Sequence, residues 1–117
     1  MISILLILIA ALFNAIMDVI SFHYSRSVFS GLGYDKWLDP YISWRNKYNN
    51  GKPELGRNAI PIFLTDVWHF AKSSMLTCII LAIVLYNPVI GRIWDFTIMG
   101  FGWIIVFNSF YNKILIK

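Results

Sequence analysis

The stretch FLTDVWHFAKSSMLTCIILAIVLY, residues 63–86, decides how this chain folds. Its second half is almost wholly apolar, and the whole run exceeds the roughly 20 residues that a helix needs to cross a bilayer core. Its first turns nevertheless carry Asp66, His69 and Lys72. We read it as a membrane-crossing helix over about 61–86 with polar groups near one end. Pro61 suits the first helical turn, where its missing N–H costs little, and Thr65 is the alternative N-cap. Tyr86-Asn87-Pro88 closes the helix, because the residue before a proline is pushed out of the α region.

The rest of the composition agrees. Of 117 residues, 58% are hydrophobic, 17% aromatic and only 14% charged, with a mean hydropathy of +0.64. A soluble domain carries about 25% charged residues, so this chain has too little polar surface for a water-soluble globule. It reads as one membrane domain spanning 1–117. The single cysteine, Cys78, excludes an intrachain disulfide and a zinc–cysteine cluster, and it reads as a small apolar residue of its span. The net charge of +4 would suit nucleic acid, but the basic residues lie beside hydrophobic segments. They point to anionic lipid headgroups as partners, with no nucleic acid.

Two further spans follow by the same reading. ISILLILIAALFNAIMDVI leads the chain and places a retained helix over about 2–22, since no basic n-region precedes it. VIGRIWDFTIMGFGWIIVFNSFYNKIL places a third over about 89–114. Arg26, Lys36, Arg45, Lys47, Lys52 and Arg57 lie between the first two spans, and Lys113 and Lys117 follow the third. The other side offers Arg92 and the N-terminal amine. By the positive-inside rule the N-terminus is outside, with the 21–60 connection and the C-terminus cytoplasmic.

The connection over 23–60 is too long for a simple loop and too aromatic for disorder. DPYISWRNKYNNG, residues 39–51, predicts a helix over about 40–50, with Asp39 capping, Pro40 in first position and Gly51 as the left-handed stop. Tyr41, Trp44 and Tyr48 share one face, with Trp37 on its extension, while Arg45 and Lys47 fall elsewhere. Such a helix suits the lipid interface; the alternative is that the stripe packs on the protein's own helix ends. Gly31-Leu32-Gly33 is too short for a phosphate loop and reads as a bend.

In this topology all three spans bring polar groups to one leaflet. Asn14 and Asp18 stack on one face of the first helix, where Ala10 and Ala11 admit a close neighbour. Asp66, His69 and Ser73 share a face of the second, with Lys72 on its flank, and Asn108, Tyr111 and Asn112 reach the same depth on the third. His23 is five residues from Asp18, roughly 140° round an ideal helix, so the two meet only if the helix has ended or bent. Asp18, His23, Asp66 and His69 are the ligand types of a Zn, Mn or non-haem Fe site, which could activate water against an ester or phosphoester at the headgroup plane. Proton or ion movement is a second use of such groups. The rival reading is structural: an Asp–His hydrogen bond locking helices, and Asp66 favoured by the positive end of its helix. Lys72 weighs against a dication nearby. Arg92 and Asp95, three apart, read as a local ion pair, and Gly100 and Gly102 as sites of close packing or a bend. Neither H-E-x-x-H nor a Ser-His-Asp arrangement can be built from the two histidines by spacing.

FNAIMDVISFHYSRSVF (13–29), SWRNKY (43–48) and FLTDVWHFAK (63–72) together resemble an uncharacterised family of short bacterial multi-pass membrane proteins. The resemblance covers about the first two thirds of the chain and implies no reaction. It implies that these segments form one site or one packing unit. Three helices bury little alone, so a homo-oligomer or a place in a larger complex is expected. Two functions remain open: a membrane protein with a polar, metal-binding Asp/His site acting at the lipid interface, and a non-enzymatic complex subunit or holin-like pore.

Overall fold

The computed structural model describes residues 1–49, 52–53 and 62–117. Three segments, Ile2–Arg26, Val67–Val84 and Arg92–Leu115, are helical, long and apolar enough to cross a membrane. They mark an integral membrane protein of the all-α class.

The first helix, α1 (Ile2–His23), is the centre of the molecule. It packs against both α4 (Val67–Val84) and α5 (Arg92–Ser109). Within a membrane apolar burial gives little drive, so close packing through small side chains must hold the helices together. Ala10, Ala11 and Ala15 on α1 are completely buried, as are Val19 and Ile20. Gly102 on α5 makes a close approach: a Cβ built there would lie 2.6 Å from Leu8 Cδ2. Gly100 has open space around it. The outer faces, with Ile80, Ile83, Ile93, Trp94, Phe101 and Ile105 exposed, are those expected against acyl chains.

The ends of the helices are fixed by specific bonds. At the α4–α5 turn Asp95 is fully buried and accepts from the Val89 and Ile90 amides at 2.9 and 3.1 Å and from the Tyr86 hydroxyl at 3.1 Å. The expected Arg92–Asp95 ion pair is not formed; the buried carboxylate is instead saturated by the orphan donors of the turn. At the other end α5 widens into a π-helical turn, Phe110–Leu115. The chain after it pairs with the segment following α1: the Val28 amide donates to Leu115 O at 2.8 Å and Lys117 N to Arg26 O at 2.7 Å. Ala15, Val19 and Leu115 form a buried cluster beneath this seam.

The connection folds back onto the start of α4. Gly31 and Gly33 take φ of 84° and 79°, the left-handed conformation that makes the bend. Two one-turn helices follow, α2 (Asp35–Leu38) and α3 (Pro40–Ser43). Asp39 caps α3 through the Tyr41 amide at 3.0 Å, with Pro40 at its start. The helix expected over 40–50 is shorter, however. After Ser43 the chain tightens into a 3₁₀ turn, Trp44–Lys47, and then a two-residue strand, β1 (Tyr48–Asn49), pairs with β2 (Lys52–Pro53). The run from Asn46 to Gly51 holds three asparagines and a glycine, which are poor helix formers, and Asn46 is recruited elsewhere. Its side-chain amide donates to Lys36 O at 2.7 Å and Thr65 O at 2.8 Å. Trp37 Nε1 donates to Leu64 O at 3.2 Å. These bonds staple the connection to the residues just before α4. Gly51 and Pro61 lie outside the described residues, as do the side chains of Lys47 and Tyr48.

Candidate functional site

Helix α4 begins at Val67, and its N-cap is Asp66 rather than Thr65. Asp66 is extended, with φ −157° and ψ 161°, which aims its carboxylate back over the first turn. Oδ1 accepts the backbone N–H of His69 at 2.8 Å, satisfying one of the helix's orphan donors. The i, i+3 spacing then brings the His69 ring onto the same carboxylate: Nδ1 lies 2.9 Å from Oδ1 and 2.8 Å from Oδ2. Asp66 is 2% exposed, whereas the His69 side chain retains 26%.

This geometry assigns the histidine's tautomer. An ionised carboxylate only accepts, so Nδ1 must donate. In a neutral imidazole Nε2 is then the bare acceptor. Asp66 and His69 line a pocket of about 280 Å³ together with Ser21 from α1, Pro40 and Ser43 from α3, Trp44 and Trp68. The Trp68 ring meets His69 edge-on at 5.1 Å, and Lys72 Nζ sits 4.9 Å from the centre of that indole. Arg45 lies similarly over Trp44, at 5.5 Å. The two tryptophans that wall the pocket thus each carry a cation on a face.

Of the four residues expected to gather a metal, Asp66 and His69 meet, and neither Asp18 nor His23 joins them. Asp18 is half-buried on α1, and among the described residues no hydrogen bond or ion pair joins it to another side chain. His23 Nδ1 faces Arg26 Nη2 at 3.1 Å, and its ring rests edge-on against Tyr111 of the C-terminal turn at 5.6 Å. The physical reason is that α1 stays helical through His23, so five residues of separation turn Asp18 and His23 to different faces. Among the described residues no group of three or more His, Cys, Asp or Glu side chains converges.

The supporting residues separate as well. Asn108 Nδ2 donates to Ile104 O at 2.8 Å and Asn112 Nδ2 to Asn108 Oδ1 at 3.4 Å, both within their own helix and exposed. Ser73 faces a different groove, beside Ser74, Thr77 and Cys78. Asn14 is half-buried on α1. Trp37 is held by Leu64 O, and Trp44 Nε1 donates to Tyr41 O at 3.0 Å, while Tyr41 itself is 76% exposed.

Ser21 and Ser43 were not identifiable from spacing, yet the fold brings both to the pocket of Asp66 and His69. Ser43 is buried, at 1% exposure. Nothing in their local sequence marks them: the packing of α1 on α4 places Ser21, and the connection's bonds to Leu64 and Thr65 carry Ser43 there. Compared with protein-family models, with characterised proteins and with solved structures, the chain finds no match.

Proposed function

We propose that this integral membrane protein uses the Asp66–His69 pair as a proton-accepting site for a ligand at the lipid interface. The observation that carries the reading is the two-oxygen grip of Asp66 on His69 Nδ1, which leaves Nε2 as the basic edge in a pocket walled by two serines. Asp66 fixes the ring and stabilises the imidazolium once His69 takes a proton. The proton would come from a hydroxyl or water attacking a lipid ester or phosphoester, and the imidazolium would return it to the leaving oxygen as the ester bond breaks. A positioned base of this kind is worth roughly 10²- to 10⁴-fold in rate. The positive-inside distribution supports a pocket in the cytoplasmic leaflet, with the N-terminus outside.

The test is release of fatty acid or headgroup from reconstituted vesicles of phosphatidylglycerol and phosphatidylethanolamine. We expect turnover by the wild type, its loss in His69→Gln, and an unchanged melting midpoint in detergent. Absence of turnover together with a lowered midpoint in His69→Gln would overturn the reading.

One observation favours a second, non-enzymatic reading. The bond from Asp66 Oδ1 to the His69 amide is a helix cap in its own right, as a complex subunit or a holin-like oligomer would need. A Zn, Mn or Fe ion at Nε2 would need further ligands from water, substrate or a second copy of the chain. Metal content by mass spectrometry addresses that directly.

A further inference from the structure

On the other flank of α4 lies a second, larger cleft of about 580 Å³. Phe13 and Ile16 of α1 and Phe70 and Ala71 of α4 line it, and Trp37 and Leu38 of α2 close it from the connection side. Its volume falls in the range of roughly 300–1,000 Å³ usual for small-molecule sites. Its lining offers almost no hydrogen-bonding group, and the Trp37 indole N–H is already given to Leu64 O. Apart from the Tyr34 hydroxyl, a polar ligand would find no partner there. Phe13 and Ile16 belong to the membrane-crossing part of α1, so the cleft is reached from acyl-chain depth.

The apolar cleft and the polar pocket stand back to back. Ile20, Leu38 and Val67 form one buried cluster between them. Leu38 and Val67 face the cleft, while the next residue after Ile20 (Ser21) and the next after Val67 (Trp68) face the pocket. One side-chain layer therefore separates an all-apolar compartment from a polar one. The polar one is flanked by cations, Arg45 on Trp44 and Lys72 on Trp68.

From this juxtaposition we infer that the cleft is an acyl-chain subsite, and that the pocket's ligand is an anionic membrane lipid straddling the wall. One chain lies against Phe13, Ile16 and Phe70, and the headgroup is turned towards Arg45, Lys72 and His69. The inference rests on the interface site proposed above and names its substrate class. Lysine and arginine stems cover apolar surface while their charges meet the lipid phosphate, which favours an anionic over a zwitterionic head.

The probe is phosphatidylglycerol with brominated acyl chains, added to the detergent-solubilised full chain, with tryptophan fluorescence as the readout. We expect a saturable quenching component that is absent in Trp37→Phe, and a half-saturation several-fold weaker for brominated phosphatidylcholine. Ala71→Phe, which fills the cleft, should abolish the component, and Ile93→Ala, on the exposed outer face of α5, should leave it intact. Competition by unbrominated phosphatidylglycerol, with none by glycerol 3-phosphate, supports the chain subsite without any variant. Quenching that rises linearly with lipid fraction and is the same in Trp37→Phe would overturn the inference. Saturable quenching without lipid turnover would retain the subsite and reject the proton-accepting function. Turnover without a saturable component would do the reverse.

Discussion

Asp66 and His69 stand three residues apart at the start of α4; Asp18 and His23 stand five apart near the end of α1. Both pairs draw on the same two residue types in apolar surroundings. The first pair closes on itself, because an N-cap carboxylate turned over the opening turn meets the amide and the ring of the residue three ahead. The second pair never meets, because α1 stays helical through His23 and five residues of helix send its members to different faces. His23 turns instead to Arg26 and Tyr111. Composition is therefore a poor guide to a site here, and position relative to a helix end is a good one. A third carboxylate, Asp95, shows the same rule at the opposite end of the bundle, where it gathers the free donors of a turn.

The three carboxylates differ in what their removal should cost. Asp95→Ala strands three donors, and since a lost partner costs about 1–3 kcal/mol, we expect the largest fall in the detergent melting midpoint among these variants. Asp66→Ala removes a cap, worth about 0.5–2 kcal/mol, and frees the His69 ring to change tautomer. The second effect is read by histidine NMR. Asp18→Asn removes no observed partner, so it should leave the stability within about 0.5 kcal/mol of wild type; a loss as large as that of Asp66→Ala would give Asp18 a structural role of its own. The smallest difference is expected in metal content after chelator-free purification, which should be the same in wild type, His69→Ala and Asp18→Ala. Near-stoichiometric metal lost in both variants would rejoin the two helices in one site.

The three spans were legible because a run of some 20 apolar residues has few other uses, and the Asp39–Pro40 start of α3 because capping is local chemistry. The Asp66 cap was not separable from Thr65, since both residues suit that position and only the backbone geometry chooses. The helix over 40–50 was overextended because Asn46 gives its side chain to Lys36 and Thr65 rather than to a helical turn. Those two bonds are long-range and leave no periodic trace. For the same reason Ser43 could not be placed beside His69 from spacing, and Ser21 arrives there through the packing of α1 on α4, which local spacing does not record either. Likewise, Arg92 and Asp95 satisfy the rule for an i, i+3 pair, but the unpaired amides of Val89 and Ile90 compete for the carboxylate and win.

Nitrogen NMR of the ¹⁵N-histidine-labelled protein reads both rings in one spectrum, at a pH where they are neutral, and so decides whether Asp66 sets the His69 tautomer. The account predicts opposite tautomers. His69 should carry its proton on Nδ1, held by Asp66, with an unprotonated Nε2. His23, whose Nδ1 accepts from Arg26, should carry its proton on Nε2. In Asp66→Ala the His69 preference should disappear while His23 stays unchanged. A His69 protonated on Nε2 in the wild type would contradict the account, because the edge that faces the ligand would then donate rather than accept.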